Sequence, residues 1–261
     1  QTSSGCTQSD QVLVTVNLTA PTAIAGTAFL KTCTQNQNGA NIGFAGQTGA
    51  TYAWFPTTGL ASPSASLTNA NPSVTTTYTL TATNTASGCT ASNAVLVTVD
   101  TEVPSVNAGS DFNKTCTQNP NGLQIGMTAV TGVTYVWSPT TGLSPATASN
   151  PIANPTSNQT YTLSATDNSS GCIATDQVVV TVNITPPAVE AGNNFTIDCI
   201  QNTSGAAIGM NAVNGVTYSW SPITGLSNAS VSNPTAAPAS SQTYTLTATN
   251  TLNGCTATDV V

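Results

Sequence analysis

Thr77-Tyr78-Thr79-Leu80-Thr81-Ala82-Thr83 alternates threonine with a less polar residue at every second position. Successive side chains of an extended strand point to opposite faces, so Tyr78, Leu80 and Ala82 share one face and the threonines share the other. A little further on, Val95-Leu96-Val97-Thr98-Val99 places Val95, Val97 and Val99 on one face. Thr85-Ala86-Ser87-Gly88 lies between the two runs, and together they predict a β-hairpin. Upstream, Thr51-Tyr52-Ala53-Trp54 reads as a further strand with Tyr52 and Trp54 on one side, closed by the turn residues Pro56-Thr57-Thr58-Gly59. Asn71-Pro72 and Asn154-Pro155 mark loops. No stretch carries a helical period, so the fold class is all-β.

The same pattern recurs along the whole chain at one constant step. That step relates Cys6, Cys89, Cys172 and Cys255, and it relates Cys33, Cys116 and Cys199. It also relates Trp54, Trp137 and Trp220, the tyrosines Tyr52, Tyr135 and Tyr218, and the tyrosines Tyr78, Tyr161 and Tyr244. Solenoid units are usually only about 20–50 residues long, and the step from Trp54 to Trp137 is well beyond that; a self-contained β-sandwich suits it. The expected organisation is residues 1–17 as the closing hairpin of a preceding repeat, then repeats at 18–100, 101–183 and 184–261, the last with an incomplete final strand. Pro21, Pro104 and Pro187 sit in the junctions, which are short and semi-rigid. An extended array in tandem is therefore expected, read as a window from a longer array. The sharper alternative is a strand at residues 11–16 donated to a neighbouring chain.

Charge narrows the function classes. Lys31 and Lys114 are the only basic side chains, against nine carboxylates, for a net charge of −7. Nucleic acid and anionic membrane surfaces need clustered cations and are excluded as partners. No apolar run approaches the roughly 20 residues that span a bilayer as a helix, so membrane insertion is not expected. With no histidine, no arginine, no phosphate-binding glycine loop and no nucleophile elbow, no catalytic residue and no cofactor is expected. Asp10, Asp176 and Asp259 share a register whose fourth member is Asn93, and they read as isolated solvated groups rather than a calcium cluster. Tyr52, Trp54, Tyr135, Trp137, Tyr218 and Trp220 are expected in the cores rather than on a carbohydrate-binding platform.

Seven cysteines in a histidine-free chain without a C-x-x-C pair read as disulfides in an oxidising compartment, not as metal ligands. Two pairings respect the period. One lies within a unit and joins Cys33 to Cys89; the other crosses a junction and joins Cys89 to Cys116. Cys89 opens the last strand of its unit and the junction lies at that strand's far end. A crossing bridge would span roughly 20–25 Å, whereas bridged Cα atoms lie within about 7 Å. The expected pairs are Cys33–Cys89, Cys116–Cys172 and Cys199–Cys255, with Cys6 paired upstream.

The string Thr134-Tyr-Val-Trp-Ser-Pro-Thr-Thr-Gly-Leu-Ser144, its continuation through Asn154-Pro155 and Thr-Tyr-Thr-Leu to Gly171-Cys172, and the closing valine-rich strand resemble the Ig-like or PKD-like repeats of giant secreted surface proteins in gliding and related bacteria. The resemblance covers every unit. It implies tandem Ig-like β-sandwich domains, an extracellular or cell-surface location, and a non-catalytic role as the shaft of a filament or stalk that self-associates. It leaves an alternative, an adhesin module gripping glycan or another cell-surface ligand through its loops. Residues 61–70 and 144–153 differ in composition between repeats, which favours the shaft.

Overall fold

A computed structural model describes residues 5–261; the first four residues of the hairpin expected at 1–17 lie outside the described residues. Among the described residues, strands account for all the regular structure. The first repeat contributes β1 (Phe29–Thr32), β2 (Ala40–Gly43), β3 (Ala50–Phe55), β4 (Leu67–Ala70), β5 (Thr76–Asn84) and β6 (Thr90–Asp100). They form a four-stranded sheet in the order β1-β6-β5-β3 and a two-stranded sheet β2-β4. The second repeat contributes β7 (Phe112–Thr115), β8 (Leu123–Gln124), β9 (Val133–Ser138), β10 (Leu143–Ser144), β11 (Ile152–Ala153), β12 (Gln159–Asp167) and β13 (Ile173–Asn183). Its sheets run β7-β13-β12-β9 and β10-β11-β8. The third contributes β14 (Ala206–Ala207), β15 (Val216–Ser221), β16 (Thr235–Ala236), β17 (Thr245–Asn250) and β18 (Thr256–Val260), in sheets β15-β17-β18 and β14-β16.

Each repeat is an Ig-like β-sandwich with its own core, because the apolar faces of its two sheets have only each other to bury against. In the first, Ile42 from β2 and Ala70 from β4 cluster with Trp54, Tyr78, Leu80, Val95 and Val97 from the larger sheet. Ile125, Trp137, Ala153, Tyr161, Leu163, Val178 and Val180 form the second cluster, and Ile208, Trp220, Ala236, Tyr244 and Leu246 belong to the third. The tryptophans are buried in all three, with each indole N–H donating to a backbone carbonyl: Trp54 to Ala65 at 2.9 Å, Trp137 to Ala148 at 3.2 Å, Trp220 to Val231 at 3.0 Å. Tyr218 is buried, whereas Tyr52 and Tyr135 are half-buried, and the hydroxyl of each accepts a backbone N–H from a residue shortly upstream. Tyr78, Tyr161 and Tyr244 are fully interior; each hydroxyl donates to the carbonyl of Thr58, Thr141 or Thr224 at 2.6–2.7 Å.

The first and last strands of a sandwich pair in parallel. Phe29–Thr32 run alongside Val97–Asp100, and Phe112–Thr115 alongside Val180–Asn183. Residues 5–28 form no strand, and Val12, Leu13, Val14 and Val16 are exposed. Residues up to Val103 group with Asp167–Cys172 as one compact unit, and Pro104–Thr166 with Ile173–Val261 as another.

Candidate functional site

The strongest chemical feature is a pair of long-range disulfides, and their pairing corrects the sequence expectation. Cys33 is bonded to Cys172 and Cys116 to Cys255, each 139 residues apart with Cα atoms 5.0 Å apart. The expected pairs Cys33–Cys89, Cys116–Cys172 and Cys199–Cys255 do not form; Cys6, Cys89 and Cys199 are free thiols. The reason is the parallel pairing of β1 with the far end of β6. Thr32 sits beside Asp100, so Cys33 emerges at the opposite end of β6 from Cys89. That strand spans roughly 35 Å, far beyond disulfide reach. The strand-length objection to a junction-crossing bridge therefore defeats the within-unit bridge as well. The observed pairing also keeps the period, because it is the within-unit spacing lengthened by one repeat.

Each bridge joins a short turn to a hairpin tip. On the turn side, the Thr32 hydroxyl accepts the N–H groups of Thr34 at 3.1 Å and Gln35 at 2.9 Å, fixing Cys33 between them. Thr115 does the same for Thr117 and Gln118 around Cys116, at 3.3 and 2.8 Å. Asn36 and Asn119 then take left-handed backbone angles, φ 47° and 48°, which asparagine tolerates better than most residues. On the hairpin side, a carboxylate oxygen of Asp167 accepts the N–H groups of Ser169 and Ser170 at 2.8 and 2.9 Å, and the Ser169 hydroxyl at 2.5 Å. The Ser169 hydroxyl first, and the Ser170 and Ser169 amides after it, hold the Asp167 carboxyl down at about 2. Asn250 plays the corresponding part beside Cys255, accepting the Leu252 N–H at 2.9 Å.

The turn and the hairpin meet closely. Gly171 has φ 70°, and a Cβ there would lie 2.4 Å from the Thr34 methyl; Gly254 has φ 69°, and its Cβ would lie 2.3 Å from the Thr117 methyl. Both positions thus need glycine twice over, for backbone conformation and for space. Hydrogen bonds complete each joint: Thr34 Oγ1 donates to the Ser170 carbonyl at 3.2 Å, and the Cys116 N–H donates to the Asn253 carbonyl at 3.1 Å. Cys172 and Cys255 are wholly buried.

The register of Asn93, Asp176 and Asp259 has a structural role that the sequence reading missed. Each side chain accepts the backbone N–H of the alanine that opens its core: Ala25 at 2.9 Å, Ala108 at 2.8 Å, Ala191 at 2.7 Å. The Ala191 amide, with the Val260 amide, holds the Asp259 carboxyl below its usual range. An amide oxygen serves as well as a carboxylate here, so the recurring acceptor, not the charge, was the informative signal. Among the described residues no group of three or more His, Cys, Asp or Glu side chains is placed to hold a metal ion.

A slot of about 520 Å³ lies in the third sandwich, between residues 194–197 on one wall and 238–244 on the other, with Val261 at its end.

No protein-family model matches the chain, and a search of curated proteins finds no relative. Among solved structures the chain is similar to an I-band fragment of titin, at 13% identity over 94% of this chain and 98% of that one, with a TM-score of 0.47. It is also similar to the extracellular cadherin domains of protocadherin gamma B7, at 12% identity over 90% of this chain and 73% of that one, TM-score 0.40. A third is mouse protocadherin-24, at 14% identity over 97% and 98%, TM-score 0.36.

Proposed function

We propose that the chain is a non-catalytic, extracellular structural protein whose tandem sandwiches form the shaft of a bacterial surface filament or stalk. The observation that carries this reading is the overlapping pair of disulfides, each reaching from one repeat's first cysteine to the hairpin tip of the following repeat. Such bridges persist outside the reducing cytosol, which favours a surface location. They also shorten the covalent path through the chain. Without them, load between Cys33 and Cys255 runs along all of the intervening backbone; with them, it crosses both bridges and only the stretch from Cys116 to Cys172. At full extension those paths measure about 750 Å and about 190 Å. A device that limits extension suits a load-bearing shaft more than an isolated recognition module. The test is electron microscopy of native material labelled with an antibody to the chain. Labelled filaments with an axial beading of one repeat are expected; label confined to compact particles or to the cell interior overturns the shaft.

A further inference from the structure

We propose that two copies of the chain associate through the outer faces of their large sheets, laid face to face, so that shafts bundle sideways. This deepens the shaft reading, on which it rests, by naming the partner and the surface it meets.

One side of each large sheet is committed to the core; Tyr78, Leu80 and Ala82 of β5 are wholly buried there. The opposite side faces outward, and the ladders set its side chains in rows. Ala94, Thr79 and Phe55 are level across β6, β5 and β3, and Ser92, Thr81 and Ala53 form the next row. In the second repeat Thr162 lies beside Gln177, and Ser164 beside Thr175. In the third, Ser219, Thr247 and Thr258 form one row and Thr217, Thr249 and Thr256 the next. Hydroxyl, amide and apolar groups make up all of these rows. Phe55 is 77% exposed on the first face, and Val136 of β9 is 58% exposed on the second.

None of the two lysines and nine carboxylates stands in these rows. Lys31 and Lys114 reach the carbonyls of Pro72 and Pro155. Asp176 and Asp259 turn to the amides of Ala108 and Ala191. Asp167 and Asp198 hold turns, Asp100 is the last residue of β6, and Asp111 immediately precedes β7. Asp10, Glu102 and Glu190 lie outside the strands.

Exposed sheet surfaces ordinarily carry charges, which keep them soluble and apart. Here the neutral faces let two copies of a chain with net charge −7 meet without setting carboxylate against carboxylate. They offer a charged partner nothing to pair with. A second copy brings the matching chemistry. Threonine methyl groups, Phe55 and Val136 supply apolar contact, and hydroxyls of one face bond hydroxyls of the other, so that no polar group is left dry and unpaired. The face also recurs at the repeat step, which a second copy shares.

Area sets the strength of the joint. Four strands of about seven residues cover about 450 Å², at about 4.8 Å between strands and about 3.4 Å per residue. A stable interface takes about 800 Å² from each partner. One pair of faces is therefore a weak joint, and an array of repeats multiplies it.

The test uses the full chain with Cys6, Cys89 and Cys199 alkylated, so that no thiol cross-links the copies. Sedimentation equilibrium from about 10 μM to about 1 mM should show reversible association at the upper end. Raising sodium chloride from about 0.05 M to about 0.5 M should leave it as strong or stronger, because no ion pair is made. Thr79→Lys, Thr162→Lys and Thr247→Lys together put an ammonium at the centre of each outer face and should weaken association by more than about tenfold. Asn41→Lys, Gln124→Lys and Ala207→Lys together add the same charge at exposed positions of the smaller sheets and should leave it within about twofold. In both variants, mapping of the two disulfides and unchanged tryptophan emission check the fold. Monomers throughout the range overturn the proposal. So does association that both triple variants weaken alike, or that the outer-face lysines leave intact. A monomeric chain that sediments with microcrystalline cellulose, and loses that binding with the outer-face lysines, also overturns it and gives the face to a polysaccharide. Each of these results leaves the shaft standing, because that reading is decided on labelled native filaments.

Discussion

Removing the Cys116–Cys255 bridge, by Cys116→Ala with Cys255→Ala, tests the site most directly. The bridge spans a sequence separation of 139. The chain-entropy relation gives the crosslink about 17 cal/mol/K of denatured-state entropy, which should cost about 5 kcal/mol at 25 °C when lost. The remaining Cys33–Cys172 bridge shares residues 116–172 with this loop and trims the figure by only roughly a few tenths of a kcal/mol. With a urea dependence of roughly 2 kcal/mol per molar, the unfolding midpoint should fall by about 2.5 M. Trp137 and Trp220 sit in the two cores enclosed wholly or partly by the loop, so their fluorescence reports the change; single-tryptophan versions, with the other two replaced by Phe, read each core separately. A shift below about 0.5 M, in protein whose parent maps with the bridge intact, would falsify the stabilising role assigned to it.

Other perturbations read other parts of the molecule. Trp137→Ala should destabilise its sandwich by about 3–5 kcal/mol in chemical denaturation, and acrylamide should quench the native indole poorly. Asp259→Asn should leave the thermal midpoint nearly unchanged, because Asn93 makes the same bond to Ala25, whereas Asp259→Ala should lower it by stranding the Ala191 N–H. The Asp167 carboxyl is depressed in the folded state, so its contribution is complete above the ordinary carboxylate pKa near 3.8 and fades as pH falls toward about 2. An NMR titration of the Asp167 side chain should find its midpoint close to 2; a midpoint at the ordinary 3.8 would remove the turn's anchoring role.

The hairpins were legible because period-two alternation is a local property. Tyr78, Leu80 and Ala82 announce a buried face within one short run, and the structure buries all three. The parallel partner of β6 was not legible. Phe29-Leu30-Lys31-Thr32 is short, carries little alternation, and finds Val97 from far along the chain. Missing that pairing misplaced Cys33, and the disulfide assignment failed with it. Strands as short as Leu123–Gln124 or Ala206–Ala207 hold too few residues for any period to appear. Residues 11–16 show the converse: the alternation is present, but a strand needs a neighbour to take its hydrogen bonds, and none is paired there.

The two bridges overlap instead of lying side by side, and that arrangement bears on survival among extracellular proteases. Residues 33–172 and 116–255 form loops that share the stretch 116–172. Any single backbone cleavage between Cys33 and Cys255 therefore falls inside at least one loop, and both products stay tethered. Loops closed at 33–89, 116–172 and 199–255 would have left unprotected seams at 90–115 and 173–198, where one nick severs the molecule. Here a nick at either seam leaves the chain in one covalent piece, so proteolytic damage accumulates without release until a second cut falls in the same interval or the cuts together separate the bridged fragments.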